Sequence, residues 1–246
     1  MWVPTKIEMA HEMLSAANVK AGDIVFDLGS GDGVIPIEAA KKFGVSAVGI
    51  EYNPDLVELS KRNAKRAGVN DKTSFRRGDI FVEDFSEATV LTLYLGESLN
   101  ARLMPKILKM QPGTRVVSNT FRMDAWIPDR EIKLSTGGQA YLWIVPAQID
   151  GQWELKVPPE LNLRRLQIRQ KKQFFDGVIE LTNREKIYFE DGRIQGEKIQ
   201  FEYIDRNKRS LLVEASISGE RLTGAITDGT SRLDIEGLRL TQRSFK

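Results

Sequence analysis

Cysteine is absent from this 246-residue chain and histidine occurs once, at His11. The first absence removes disulfides, thiolate metal sites and cysteine nucleophiles together, and no metal site is expected. No apolar run approaches the roughly 20 residues that a membrane-crossing helix needs, so no membrane span is expected. Neither sign of charge is in excess: 36 Lys and Arg stand against 34 Asp and Glu, well mixed along the chain, for a formal net charge of +2. Proteins that track nucleic-acid phosphates show a clear basic surplus, so no nucleic-acid partner is expected. The opening residues lack the basic start and apolar stretch of a secretory signal, which gives the cytoplasm as the expected location. With 41% hydrophobic and 28% charged residues, the chain has enough apolar material for one large core or two smaller ones.

Hydrophobic periodicity divides the chain in two. Ile7, Ala10, Met13 and Leu14 recur at helical spacing, with Thr5 as the cap and an end near Asn18 and Val19. Strands are then expected at 24–28, 47–50, 73–77, 89–95 and 115–118. Helices are expected at 34–43, at 54–67 between the Asn53 cap and Gly68, and at 97–110 with Pro105 kinking or dividing the last. Segments 131–134 and 140–145 flank Gly137-Gly138 and read as a hairpin. This order specifies an α/β, doubly wound, mostly parallel sheet with one antiparallel strand and a C-terminal hairpin, over residues 1–148. The character changes around Pro146 to Pro159, only short alternating runs occur from Leu163 onward, and a small all-β domain of open role is expected over 149–246. Turns are expected at Asp176-Gly177, Asp191-Gly192, Ser218-Gly219 and Asp228-Gly229.

Asp27-Leu28-Gly29-Ser30-Gly31-Asp32-Gly33 closes the first strand and opens a helix. A glycine-rich turn there lets backbone approach a ligand closely, which alone is weak evidence. In the dinucleotide fingerprint G-x-G-x-x-G the third glycine would stand at Val34, whereas here it comes one residue early. Glu51 ends the second strand, where a carboxylate can accept from both ribose hydroxyls. Gly78-Asp79-Ile80-Phe81 follows the third. Any one of these acids alone reads as a solvated loop end, but three in this order read as ligand contacts. A nicotinamide oxidoreductase is the rival for the same pattern.

The D-x-G-x-G-x-G segment resembles that of class I (Rossmann-like) methyltransferases. The resemblance implies S-adenosylmethionine as cofactor, held by Gly29, Ser30, Gly31, Gly33, Glu51 and Tyr52, with Asp79 and Ile80 at the adenine. It also implies that Asp27 holds loop N–H groups or the cofactor's amino group, and that Thr5 approaches if the first helix lids the site. Val3-Pro4-Thr5, Thr92-Leu93-Tyr94-Leu95, residues 112–118 and Trp126-Ile127-Pro128-Asp129 narrow the match. Over residues 3–145 the chain is similar to the family of mitochondrial lysine methyltransferases acting on the adenine nucleotide translocase and on the c-ring protein of ATP synthase, in its prokaryotic form. That implies a protein substrate methylated on lysine by in-line displacement. Tyr94, Glu97 and Asn100 are the candidate catalytic residues. Tyr94 reads equally as core surface, and Glu97 as a helix-start acid. Phe121 and Trp126 read either as walls of a substrate channel or as packing on the sheet. A small-molecule N- or O-methyltransferase and a non-catalytic S-adenosylmethionine-binding module are the alternatives. His11, on the first helix beside Glu12, is not read as a base, and the basic run Arg164, Arg165, Arg169, Lys171 and Lys172 reads as a solvated strand face. Oligomeric state is not legible.

Overall fold

The computed structural model describes residues 4–135 and 137–240, in two compact units that meet in sequence at Val145 and Pro146. Val3, part of the segment compared above, lies outside the described residues.

In the first unit Ile7–Ala16 (α1) precedes Ile24–Leu28 (β1), Val34–Glu38 (α2), Ser46–Glu51 (β2), Pro54–Ala67 (α3), Thr73–Arg77 (β3), Val90–Leu93 (β4), Glu97–Ile107 (α4), Arg115–Asn119 (β5), Arg130–Lys133 (β6) and Gln139–Ile144 (β7). The strands form one sheet in the order β3-β2-β1-β4-β5-β7-β6. The first five run parallel, and β7 is antiparallel to both its neighbours. Successive residues of β1 and β4 point to opposite faces. Val25 and Val90 join Ala10, Met13 and Leu14 of α1 in one core, while Phe26 and Leu91 join Leu103 and Ile107 of α4 in another. Both faces are covered, which is why these strands read as nearly unbroken apolar runs.

Local signals hold where the partner is local. Asn53 Oδ1 accepts from the Asp55 N–H at 2.9 Å, Pro54 occupies the first helical position of α3, and Gly68 ends the helix at φ 70°. The segment expected as one helix at 34–43 changes winding midway, with Ala39–Phe43 forming a π-helical turn. Thr5 is not the cap of α1: Lys6 takes that place without a side-chain bond, and the helix ends at Ala16 rather than near Asn18. Pro105 lies inside α4, two residues before its end, and does not divide it.

The second unit is a closed antiparallel barrel of eight strands: Gly151–Lys156 (β8), Leu163–Lys171 (β9), Phe174–Leu181 (β10), Lys186–Gln195 (β11), Lys198–Ile204 (β12), Ser210–Ser218 (β13), Arg221–Thr227 (β14) and Arg232–Arg239 (β15). The β15–β8 and β9–β10 pairings close the circle. Closure leaves no free edge, and alternate residues fill the interior. Trp153, Phe175, Phe189 and Phe201 lie at its centre, the last two stacked at 4.1 Å. Ser218-Gly219 and Asp228-Gly229 join strands, as expected, but Asp176-Gly177 and Asp191-Gly192 are not turns: they sit within β10 and β11. There a Cβ on Gly177 would come within 2.3 Å of the Gln167 carbonyl of β9, and one on Gly192 within 2.6 Å of the Phe175 ring of β10. Glycine serves the bend of a coiled strand here, with a register shift between Phe175 and Gly177. In the basic run, Arg164 pairs with Glu180 at 2.9 Å and Arg169 with Asp176 at 2.8 Å, both across β9–β10.

Candidate active site

In an open α/β sheet, ligands bind beyond the carboxyl ends of the strands where the strand order reverses, here between β1 and β4. A cavity of about 920 Å³ opens there. The loop from 29 to 33 forms its floor through backbone bonds: the N–H groups of Gly29 and Ser30 both donate to the Ile50 carbonyl, at 2.8 and 3.1 Å. Gly29 has φ 75°, and a Cβ there would lie 2.6 Å from the Leu95 side chain across the cavity wall. Glu51 ties two loops together, its Oε2 accepting from Gly31 N–H and its Oε1 from Asn53 N–H, each at 2.9 Å. Each carboxylate oxygen keeps further acceptor capacity for a ligand hydroxyl.

Of the residues singled out for a cofactor, Thr5, Asp27, Gly29, Ser30, Glu51, Tyr52, Asp79 and Ile80 line this cavity. Gly31 and Gly33 do not. Gly31 serves as the donor to Glu51, and Gly33 starts α2 at φ 84° with its missing Cβ facing Ser60 and the Phe75 ring. Its requirement for glycine therefore comes from the left-handed backbone and from packing against α3 and β3. Residues not foreseen for this wall are Asp32, Asn53, Leu56, Leu99 and Arg102. Asp32 stands inside the glycine motif and Asn53 reads in sequence only as a helix cap, while Leu56, Leu99 and Arg102 are helix side chains with no motif of their own.

Among the described residues the lining acids outnumber the bases: Asp27, Asp32, Glu51 and Asp79 face the cavity against Arg102. Burial pushes the Asp27 carboxyl up to about 7, against the opposing bond from Thr92, and the negative charges of Glu51 and Asp32 push it further in the same direction. Thr92 Oγ1 lies 2.6 Å from Asp27 Oδ1 and 3.3 Å from the Phe26 carbonyl. A protonated Asp27 can donate to the Thr92 hydroxyl while that hydroxyl donates to Phe26, so the neutral acid satisfies all three groups.

The candidate catalytic residues separate. Tyr94 lines the cavity with Phe121, their rings 6.1 Å apart. Glu97 is exposed at the start of α4 and Asn100 is fully buried, and neither is a lining residue. Asn100 Nδ2 donates to Ser118 Oγ at 3.0 Å and to the carbonyls of Phe121 and Arg122 at 3.2 and 3.3 Å. It braces the loop behind Phe121. Asn100→Leu should therefore strand buried acceptors and cost about 3 kcal/mol of stability, and Asn100→Asp should be at least as harmful because a carboxylate would face carbonyls. Urea unfolding checks this, and a catalytic role would instead spare the midpoint. Trp126 is 1% exposed and packs 6.1 Å from Trp143, whose Nε1 donates to the Trp126 carbonyl at 2.8 Å. It belongs to the core and walls no channel. His11 also lies away from the cavity, with Nε2 2.6 Å from Glu38 Oε2. Burial raises the Glu38 carboxyl, yet His11 and Lys41 together hold it below its usual range.

An anionic cavity repels a pyrophosphate and attracts a cation, and with the strand order above it defines a class I methyltransferase. The ANTKMT methyltransferase domain matches residues 27–130. A protein-lysine N-methyltransferase from Saccharolobus islandicus (strain REY15A) is 42% identical over 149 residues, covering 58% of this chain and 92% of that protein. The adenine nucleotide translocase lysine N-methyltransferase of Mus musculus is 33% identical over 129 residues, covering 52% of this chain and 56% of that protein. A crystal structure of an RNA methyltransferase from Salinibacter ruber in complex with S-adenosyl-L-homocysteine shares 49% identity and a TM-score of 0.58, over 60% of this chain and 96% of that one. The chain belongs to the ANTKMT family of methyltransferases.

Proposed function

We propose that this chain uses S-adenosylmethionine to N-methylate lysine in a protein. The observation that carries the reading is the charge of the cavity: among the described residues the carboxylates of Asp32, Glu51 and Asp79, with Asp27 able to ionise beside a cation, outweigh the Arg102 guanidinium and suit a ligand with an ammonium and a sulfonium. Glu51 takes the ribose hydroxyls, Asp79 and Ile80 the adenine, and Asp27 with the 29–31 loop the amino-acid end. When bound, S-adenosylmethionine supplies an electrophilic methyl group, so the chain's own task is alignment and exclusion of water. Tyr94, Leu99 and Phe121 form the wall at which an acceptor amine would lose its water shell. That loss favours the neutral amine, the form that attacks. Tyr94 faces the acceptor in this reading.

The acceptor class draws on the 42% identical Saccharolobus relative, named as a protein-lysine N-methyltransferase. A second reading, RNA methylation, draws on the 49% identical Salinibacter protein. No described helix is long and apolar enough to cross a membrane.

One experiment separates the two: incubation with methyl-labelled S-adenosylmethionine and a native lysate, followed by parallel digestion with protease and ribonuclease. Label should survive ribonuclease, be released by protease, and map to methyllysine on peptide sequencing. Label released only by ribonuclease would replace protein with RNA as acceptor, and label confined to small metabolites would replace both.

A further inference from the structure

Arg102 and Lys106 stand one turn apart on the same face of α4 and both reach the segment that follows β3. Lys106 Nζ donates to the Phe81 carbonyl at 3.4 Å and to the Glu83 carbonyl, and lies 4.4 Å from the centre of the Phe85 ring. The segment is also folded on itself: Asp79 Oδ1 accepts from Phe81 N–H at 2.9 Å, and the Asp79 carbonyl accepts from Val82 and Glu83 at 2.8 Å. Its backbone is thus fixed at several points. The Phe81 side chain, which lines the cavity beside Ile80, is covered by the Arg102 guanidinium at 3.9 Å from the ring centre. Arg102 is itself a lining residue.

We propose that Arg102 is a positioning residue for the nucleoside end of the ligand: stacked on Phe81, it holds the Ile80–Phe81 wall in the orientation that receives the adenosine group. The proposal rests on the S-adenosylmethionine reading. A planar guanidinium suits the task because it lies flat on an aromatic face, whereas an ammonium is a hydrated point charge. Without it, Phe81 gains rotamers that swing the ring off the wall, and every adenosine-bearing ligand loses affinity alike. The amino-acid end, held around Asp27 and the glycine loop, is served by other residues.

Calorimetry on the full chain tests this with two ligands, S-adenosylmethionine and 5′-methylthioadenosine, which keeps the nucleoside and lacks the amino-acid group. Arg102→Ala should weaken both by the same factor, about fivefold for a partly exposed cation–π contact. The unfolding midpoint should not move. Phe81→Leu should weaken both ligands at least as much, and the double variant should be no weaker than Phe81→Leu alone. Wild-type affinity in Arg102→Ala, a loss for S-adenosylmethionine alone, additive losses in the double variant, or a fall in midpoint would each overturn the proposal. Failure of the wild type to bind either ligand would remove the cofactor reading and this role with it. Tight wild-type binding that is unaltered in Arg102→Ala would remove the Arg102 role alone.

Discussion

Asp27→Asn is expected to stabilise the unliganded protein above pH 7 and to weaken its hold on S-adenosylmethionine. Burial raises the Asp27 carboxyl from 3.8 to about 7 in the folded chain. Between pH 4 and 7 the unfolded chain therefore releases this proton while the folded chain keeps it. Stability contributed by the neutral acid is full below pH 4 and lost as pH rises through 7, an effect on the order of a few kcal/mol. Asparagine carries no such penalty, so thermal melts of the two proteins should converge near pH 4 and separate toward pH 8, with the variant higher. Ligand binding should run the other way. A ligand ammonium beside Asp27 favours the carboxylate, so wild-type affinity should climb by up to about tenfold per pH unit below 7 and then level off. The variant should bind weakly and without that slope. Parallel pH dependence in both proteins would remove Asp27 from the ligand contacts.

Glu51→Ala should lower affinity for S-adenosylmethionine by about 100-fold or more, since two charge-assisted bonds that shape the cavity disappear together with any bond to the ligand. Gly31 N–H and Asn53 N–H both lose their acceptor, and the loops on either side of the cavity lose their common tie. Glu51→Gln should recover only part of the loss, because its amide has one acceptor oxygen and would turn an NH2 group toward one of two N–H donors. Calorimetry with S-adenosylmethionine and with a nicotinamide dinucleotide, on wild type and both variants, measures this. Tight binding of the dinucleotide alone would end the methyltransferase reading of the cavity.

The parts of this site that could be read in advance share a property: their meaning is written in a few consecutive residues. The early third glycine, an acid at the end of the second strand and an acid after the third are local patterns, and the sheet brings their backbones together because parallel strands end on the same side. Asn100 was misplaced for a different reason. Its position just after Tyr94 suggested reacting chemistry, but its partners, Ser118, Phe121 and Arg122, lie about twenty residues away in sequence. Trp126 and Phe121 looked alike as a pair in one loop. Whether a ring faces core or cavity depends on what packs behind it, and Trp143 claims the first of them.

By itself, then, the amino-acid sequence determined the alternation of strands and helices, the glycine loop closing β1, and an all-β character for the C-terminal part, because hydrophobic period and turn chemistry act over a few residues. Tertiary structure alone decided what is non-local. It closed eight strands into a barrel and turned Asp176-Gly177 and Asp191-Gly192 from expected loops into close contacts inside strands. It buried Asp27 against Thr92 and thereby set its charge, and it laid Arg102 of α4 over Phe81. Burial and long-range packing depend on which distant segments meet, and no window along the chain contains that information.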